Sequence, residues 1–257
     1  MHKSINVFIG LVLLFQGCAP GGSSMERKAL LADSTSFYTI SVEYPEESRD
    51  KDQVMKSFVL DRYQAKKEEW RTGGELYEEE QKITRAFPDR AQVKYSYDMG
   101  FERFSADSLG TVSYLFTTYE YTGGANGNTG VDSYCFNREN RRVDIEDILD
   151  FSDHKDIKLS RFLADRALSD TTLFFKDFVE AGLGLAYLKA DGVTLDKAKC
   201  QCDGYFFGSN FQNFVVENRG ITFYFDKYAI APGAAGITRI TLSWEDIRPY
   251  LKNPLPF

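Results

Sequence analysis

Apolar and polar residues alternate through Thr35–Tyr44 (TSFYTISVEY) and the pattern stops at Pro45, which predicts a strand. The period then changes. Across Asp50–Arg71, Val54, Phe58, Leu60, Tyr63 and Trp70 recur at roughly helical spacing among charges; Asp50 or Asp52 is the expected cap and Gly73-Gly74 the stop. Glu75–Lys82 (ELYEEEQK) continues as a short helix or a solvated loop. Ala91–Ser105, Thr111–Thr122 and Val131–Asn137 are rich in Tyr, Phe, Val and Thr and read as strands. Val143–Leu149 (VDIEDIL), entered from Arg141-Arg142, is an acidic helical turn. His154–Leu168 and Thr172–Lys189 are predicted helices, the second loosened by Gly182 and Gly184.

Strands return toward the end. Asn213–Glu217 and Gly220–Phe225 flank a turn at Asn218-Arg219, Ile237–Leu242 is β-branched, and Trp244–Leu251 is a closing helix capped by Ser243. Strands and helices are segregated along the chain, which predicts an α+β fold with antiparallel sheets, helices packed on them, and two closely associated subdomains. The expected boundaries are 1–17 for a signal peptide, 18–34 for a lipidated Cys and flexible tether, and 35–150 and 151–257 for the two subdomains.

The N-terminus sets the compartment. Lys3 precedes an apolar run, Ile5–Phe15, interrupted only by Asn6 and Gly10, and the run leads to Gly17-Cys18. Basic start, short apolar stretch and small residue at the cut is the order of a secretory signal, and the run is too short to span a bilayer. A Cys straight after the small residue resembles the lipobox of bacterial lipoproteins, although Phe15 and Gln16 stand where Leu and a small residue are usual. The resemblance implies diacylation of Cys18, with Ala19–Ser24 (APGGSS) as tether. The alternative is an ordinary signal peptide cut nearby. Ala19, which is not acidic, points by the same resemblance to the outer membrane, facing the periplasm.

Cleavage after Gly17 removes Lys3 and no acid, so the mature chain is one unit more negative than the −7 of the full sequence. That balance argues against nucleic acid and suits a basic partner. The 21 Phe and 15 Tyr suit a β-rich chain or an aromatic-lined surface. Beyond Cys18 stand Cys135, Cys200 and Cys202. Cys200 and Cys202 are too close for a relaxed bridge to each other, so in an oxidising compartment one of them is expected to pair with Cys135. With His154 the only histidine beyond residue 17, no metal site and no cofactor are expected.

Two stretches carry a family resemblance. Tyr119–Gly127 (YEYTGGANG), Tyr134–Asn137 (YCFN) and Val143–Leu149 are similar to the extracytoplasmic module shared by the anti-sigma factor RsiV and the N-terminal region of PdaC-type peptidoglycan deacetylases. Phe214–Gly236, with Phe225-Asp226-Lys227-Tyr228-Ala229-Ile230-Ala231-Pro232 at its centre, looks like the companion domain of that module. Asn126 replaces the family's frequent His, and residues 1–257 hold no metal-binding Asp/His set of a deacetylase domain. The deacetylase and anti-sigma roles are therefore not expected to carry over. The module's own role in the RsiV relative, binding lysozyme in the envelope, is what the resemblance implies, and an acidic surface suits a basic muramidase.

The candidate site is the Gly-rich loop and the strand leading into it. Gly123 and Gly124 let the backbone take positive φ, Asn126 and Asn128 offer amides, and Tyr119 and Tyr121, two apart, share a strand face. The bland alternative is a turn between two strands, with the tyrosines in the core. Tyr228 and Pro232–Gly236 (PGAAG) are the second candidate, the PGAAG stretch reading mainly as a turn that packs flat. No nucleophile–base pair is visible, and Glu78-Glu79-Glu80 and Asp144, Glu146 and Asp147 read as solvated faces. A binding module for an envelope protein or glycan is the expectation; a carboxylate-dependent hydrolase of peptidoglycan is the alternative.

Overall fold

The computed structural model describes residues 28–46, 49–90, 92–170, 172–200 and 206–257. The signal peptide, Cys18 and Cys202 lie outside the described residues. The first sheet has six strands in sequence order: β1 (Lys28–Ser34), β2 (Tyr38–Pro45), β3 (Tyr95–Ala106), β4 (Thr111–Tyr121), β5 (Asn128–Phe136) and β6 (Arg142–Val143). The second has three: β7 (Phe214–Glu217), β8 (Gly220–Phe225) and β9 (Thr238–Ser243). With helices on both, the fold is α+β in two subdomains.

Two features depart from the expectation. Lys28–Ser34, read as the end of a tether, is instead an edge strand paired antiparallel with β2. The first sheet is also not wholly antiparallel, because β2 and β3 run parallel. A parallel neighbour needs a long crossover, and helices α1 (Asp50–Glu69) and α2 (Glu75–Ala86) supply it.

Phe58, Tyr63 and Trp70 pack into the core as their spacing suggests, but Val54 does not join them and other residues of α1 complete the stripe. Asp52, Met55, Val59 and Tyr63 face the sheet, while Val54 is exposed. Neither Asp50 nor Asp52 is the cap; Arg49 holds that position without a side-chain hydrogen bond. Asp52 turns inward because the Tyr114 hydroxyl of β4 donates to its carboxylate.

The parity of β4 sorts its side chains onto two faces. Tyr114 and Phe116 pack under α1 with Phe37, Ile40, Met55 and Trp70. Leu115, on the other face, meets Val215 and Tyr224 of the second sheet, together with Val131. β7 is an edge strand, and its outward N–H groups would otherwise lack partners. Serine hydroxyls of the first sheet take them: Val216 N donates to Ser113 Oγ at 3.0 Å and Phe214 N to Ser133 Oγ at 2.7 Å. Behind the second sheet lie α4 (Lys155–Leu168) and α5 (Lys176–Gly182), sharing a core with Ile221, Phe223 and Leu242. The order of layers is helix, sheet, sheet, helix.

The helix expected over Thr172–Lys189 is confined to α5 and a 3-10 turn at Leu185–Tyr187, broken at Gly184 with φ 74°. The acidic turn at Val143–Leu149 forms α3 (Ile145–Ile148), with a capping box between Asp144 and Asp147. Trp244–Leu251 splits into α6 (Trp244–Ile247), capped by Ser243 as expected, and a 3-10 turn at Arg248–Tyr250.

The bridge expected at Cys135 is not formed. Cys135 is a buried free thiol opposite Ser113 in the β4–β5 register, and burial pushes its pKa up to about 11. Position explains this: Cys135 lies between the sheets, closed off from a surface partner. Cys200 is not a free thiol.

Candidate functional site

β4 ends at Tyr121 and β5 begins at Asn128, so the Gly-rich stretch is the loop joining them. Gly123 and Gly124 take φ of 103° and 96°, which L side chains rarely adopt, and the Tyr121 hydroxyl donates to Gly124 O at 3.0 Å. The loop is thus folded back against its own strand. Gly127 then lies flat on the Tyr119 ring, where an added Cβ would come within 2.5 Å of ring carbons.

Tyr119 and Tyr121 share the parity of Ser113 and Leu115, so they point to the side of the second sheet. Their partner across a shallow cleft of about 310 Å³ is the Gly233–Gly236 turn. Asn126 lies on the rim of this cleft, Thr129 and Lys227 on its wall. The two candidate stretches of the sequence therefore face each other across one hollow. PGAAG is not only a packing turn; it forms half the cleft.

Not every expected residue is there. Asn128 is in the strand opposite Glu120, whose carboxylate pairs with Lys66 of α1 at 3.1 Å, so Asn128 has the parity of the helix side. Gly123 and Gly124 shape the loop without lining the cleft. Tyr228 borders a neighbouring groove of about 460 Å³ with Phe178, Ala181, Gly182 and Tyr187. Its φ is 72°, an outlier for a bulky residue, and its exposed ring stands over Gly233, where a Cβ would meet it at 2.0 Å. Tyr228 is thus a partition between cleft and groove.

Asp226 and Lys227 were missed by sequence reasoning, and they join the two halves. The N-terminal half of β5 has β4 on one edge and an open edge on the other. Asp226 Oδ1 accepts from Val131 N at 2.7 Å on that edge, Lys227 N donates to Thr129 O at 3.4 Å, and Lys227 Nζ donates to Gly127 O at 2.7 Å. The Lys227 ammonium also lies 5.1 Å from the Tyr228 ring centroid. Burial raises the Asp226 pKa above its ordinary value, the Val131 amide opposing it. The signal for these two residues was their place at the head of the Asp226–Pro232 motif.

A second hollow of about 330 Å³ carries acids: Asp132, Asp144 and Glu146, with Arg142, Gln212 and Asn213. Asp132 pairs with Arg62 at 3.2 Å and Asp144 with Arg142 at 2.8 Å. Among the described residues no cluster of three or more His, Cys, Asp or Glu is placed to hold a metal. No helix among them is long and apolar enough to cross a membrane.

Comparison with known proteins follows the same division. Residues 31–129 match the family described as deacetylase PdaC, and residues 200–245 the family described as a protein of unknown function, DUF3298. A DUF3298-family protein of Bacteroides fragilis superposes with a TM-score of 0.58 at 18% identity, over 89% of this chain and 94% of its own. A DUF3298-family protein of Pseudomonas aeruginosa gives 0.49 at 17%, over 89% and 95%. No curated protein matches the chain. The Tyr119–Gly127 stretch falls within the first match and Phe214–Gly236 within the second. At these identities the structural likeness is one of fold.

Proposed function

We propose that this chain, a PdaC-like segment joined to a DUF3298 segment, is a lipid-anchored binding module of the bacterial cell envelope. Cys18 carries the acyl chains, and the cleft between the β4–β5 loop and the Gly233–Gly236 turn takes a protruding part of an envelope partner. A basic muramidase of the lysozyme kind is the favoured partner, with peptidoglycan itself as the other. The observation that supports this reading is the convergence of Tyr119, Tyr121, Asn126 and Lys227 on one open hollow. Tyrosine gives contact area at low entropic cost, and amide and ammonium groups give direction to the contact. The net charge of the mature chain, one unit more negative than the −7 of the full sequence, would speed encounter with a basic protein.

Calorimetric titration of the chain from residue 18 onward with lysozyme, and separately with solubilised peptidoglycan fragments, tests it. Saturation at fixed stoichiometry without release of new reducing ends is the expected result. Release of reducing ends would replace this reading with the hydrolase.

A further inference from the structure

Asn126-Gly127 is the one place in this sequence where asparagine precedes glycine. A residue without Cβ leaves its amide nitrogen open to the side chain before it, and lets the backbone swing to bring the two together. Asn126 is exposed, and its side chain makes no hydrogen bond among the described residues. Three other asparagines of the fold give a contrast. Asn137 is buried, donates to Pro256 O at 3.2 Å and accepts from Glu139 N and Arg141 N. Asn210 donates to Ser160 Oγ and Leu183 O, and Asn218 accepts from Ser108 Oγ at 2.6 Å.

Lys227 adds a second condition. Its ammonium is 2.7 Å from the Gly127 carbonyl oxygen, against the residue whose amide nitrogen must lose a proton to become a nucleophile. A nearby cation favours the ionised form of such a group.

We propose that Asn126-Gly127 is a self-modification site, at which the rim amide of the cleft is converted spontaneously into a carboxylate. Hydroxide takes the Gly127 N–H proton, the nitrogen attacks Asn126 Cγ, and the side-chain nitrogen leaves as ammonia. Water then opens the succinimide ring. Breaking the new N–Cγ bond gives aspartate; breaking the original backbone bond gives isoaspartate. One water is consumed, one ammonia is released, and no electrons are transferred. The product places a carboxylate on the cleft rim near Lys227, and the isoaspartate form also lengthens the loop backbone by a methylene. The cleft therefore ages from cationic to neutral.

The test is incubation of the purified, folded protein at mildly alkaline pH, followed by peptide mapping and isoaspartate detection over time. The Asn126 peptide should convert about tenfold or more faster than the Asn137 and Asn218 peptides of the same sample, equivalent to roughly 1.4 kcal/mol in barrier. Lys227→Gln should slow conversion at Asn126 several-fold and leave the other peptides unchanged. Asn126→Gln should abolish the early acidic species seen by ion exchange. An Asn126 peptide as durable as that of Asn137, or an acidic species persisting in Asn126→Gln, overturns the site. A Lys227→Gln rate equal to that of the unsubstituted protein removes the ammonium from the argument and overturns the proposal as stated.

Discussion

The Asp226 carboxylate accepts the Val131 amide at 2.7 Å, closing from the second subdomain an open strand edge of the first. Removing the acceptor strands a largely buried N–H, so Asp226→Ala should cost about 1–3 kcal/mol. Asp226→Asn keeps an oxygen there and should cost little. The pH dependence separates charge from hydrogen bond. Burial raises the folded pKa of Asp226 above its ordinary 3.8, so the folded state holds the proton to higher pH than the unfolded chain does. The stabilisation from that proton is complete below 3.8 and is lost as pH climbs through the raised folded value. The melting temperature of the native protein minus that of Asp226→Asn should therefore fall across this window and level off above it. A difference that rises with pH would mean that the charged form is the one favoured by the fold.

Tyr114 and Asp52 form the corresponding contact under α1. Both are buried, and the phenol donates to the carboxylate. Desolvation and the neighbouring acid raise the Tyr114 pKa far above its usual range, so it remains a donor at neutral pH and well into the alkaline range. Tyr114→Phe should destabilise by about 1.5–3 kcal/mol, the range for a hydrogen bond to a charged group. Denaturant unfolding at constant m-value is the measurement, and a loss under about 0.5 kcal/mol would show that Asp52 is held adequately by other contacts.

Cys135 should be inert in the folded protein. With its pKa pushed up to about 11, the thiol carries almost no thiolate near neutrality, and its side chain is closed to reagents. Iodoacetamide should label Cys135 only after unfolding, and non-reducing peptide maps should show no bridge to it. Rapid labelling of the native protein would contradict its placement between the sheets.

Legibility followed the range of the interactions. The hairpin at Asn218-Arg219 and the Ser243 cap depend on near neighbours, and both were readable from their residues. The stripe of α1 was readable at Phe58, Tyr63 and Trp70 but not at Asp52, whose burial depends on Tyr114, 62 residues away. The tether boundary failed for a similar reason: KALLADS has weak strand character alone and becomes a strand by pairing with β2. Tyr119 and Tyr121 were correctly placed on one strand face by parity alone. Which core that face met depended on the second sheet, and nothing local could tell Asn126 on the rim from Asn128 on the helix side. Asp226 and Lys227 stood in a recognisable motif, but nothing local told that they reach residues 127–131, about a hundred positions back.

The last prediction concerns Tyr228 and Gly233, the partition and its footing. Tyr228 sits at φ 72° with its ring directly above Gly233, in a backbone region that costs a bulky residue about 1–3 kcal/mol. Tyr228→Gly relieves that cost and removes the ring, so stability should hold or rise while cleft and groove merge. Gly233→Ala acts the opposite way: its Cβ would fall 2.0 Å from the Tyr228 ring and must push it aside. Both variants alter the partition while Tyr119, Tyr121 and Asn126 stay in place. If partner binding uses the cleft, both should weaken it, and Tyr119→Ala should weaken it further by removing the surface on which Gly127 rests. A loss of about tenfold corresponds to roughly 1.4 kcal/mol and is readable by calorimetry against the same probe. Weakened binding in Tyr228→Gly at an undiminished melting temperature would show that the strain at Tyr228 serves recognition. Unchanged binding in all three variants, with their folds intact, would remove this cleft from the binding surface.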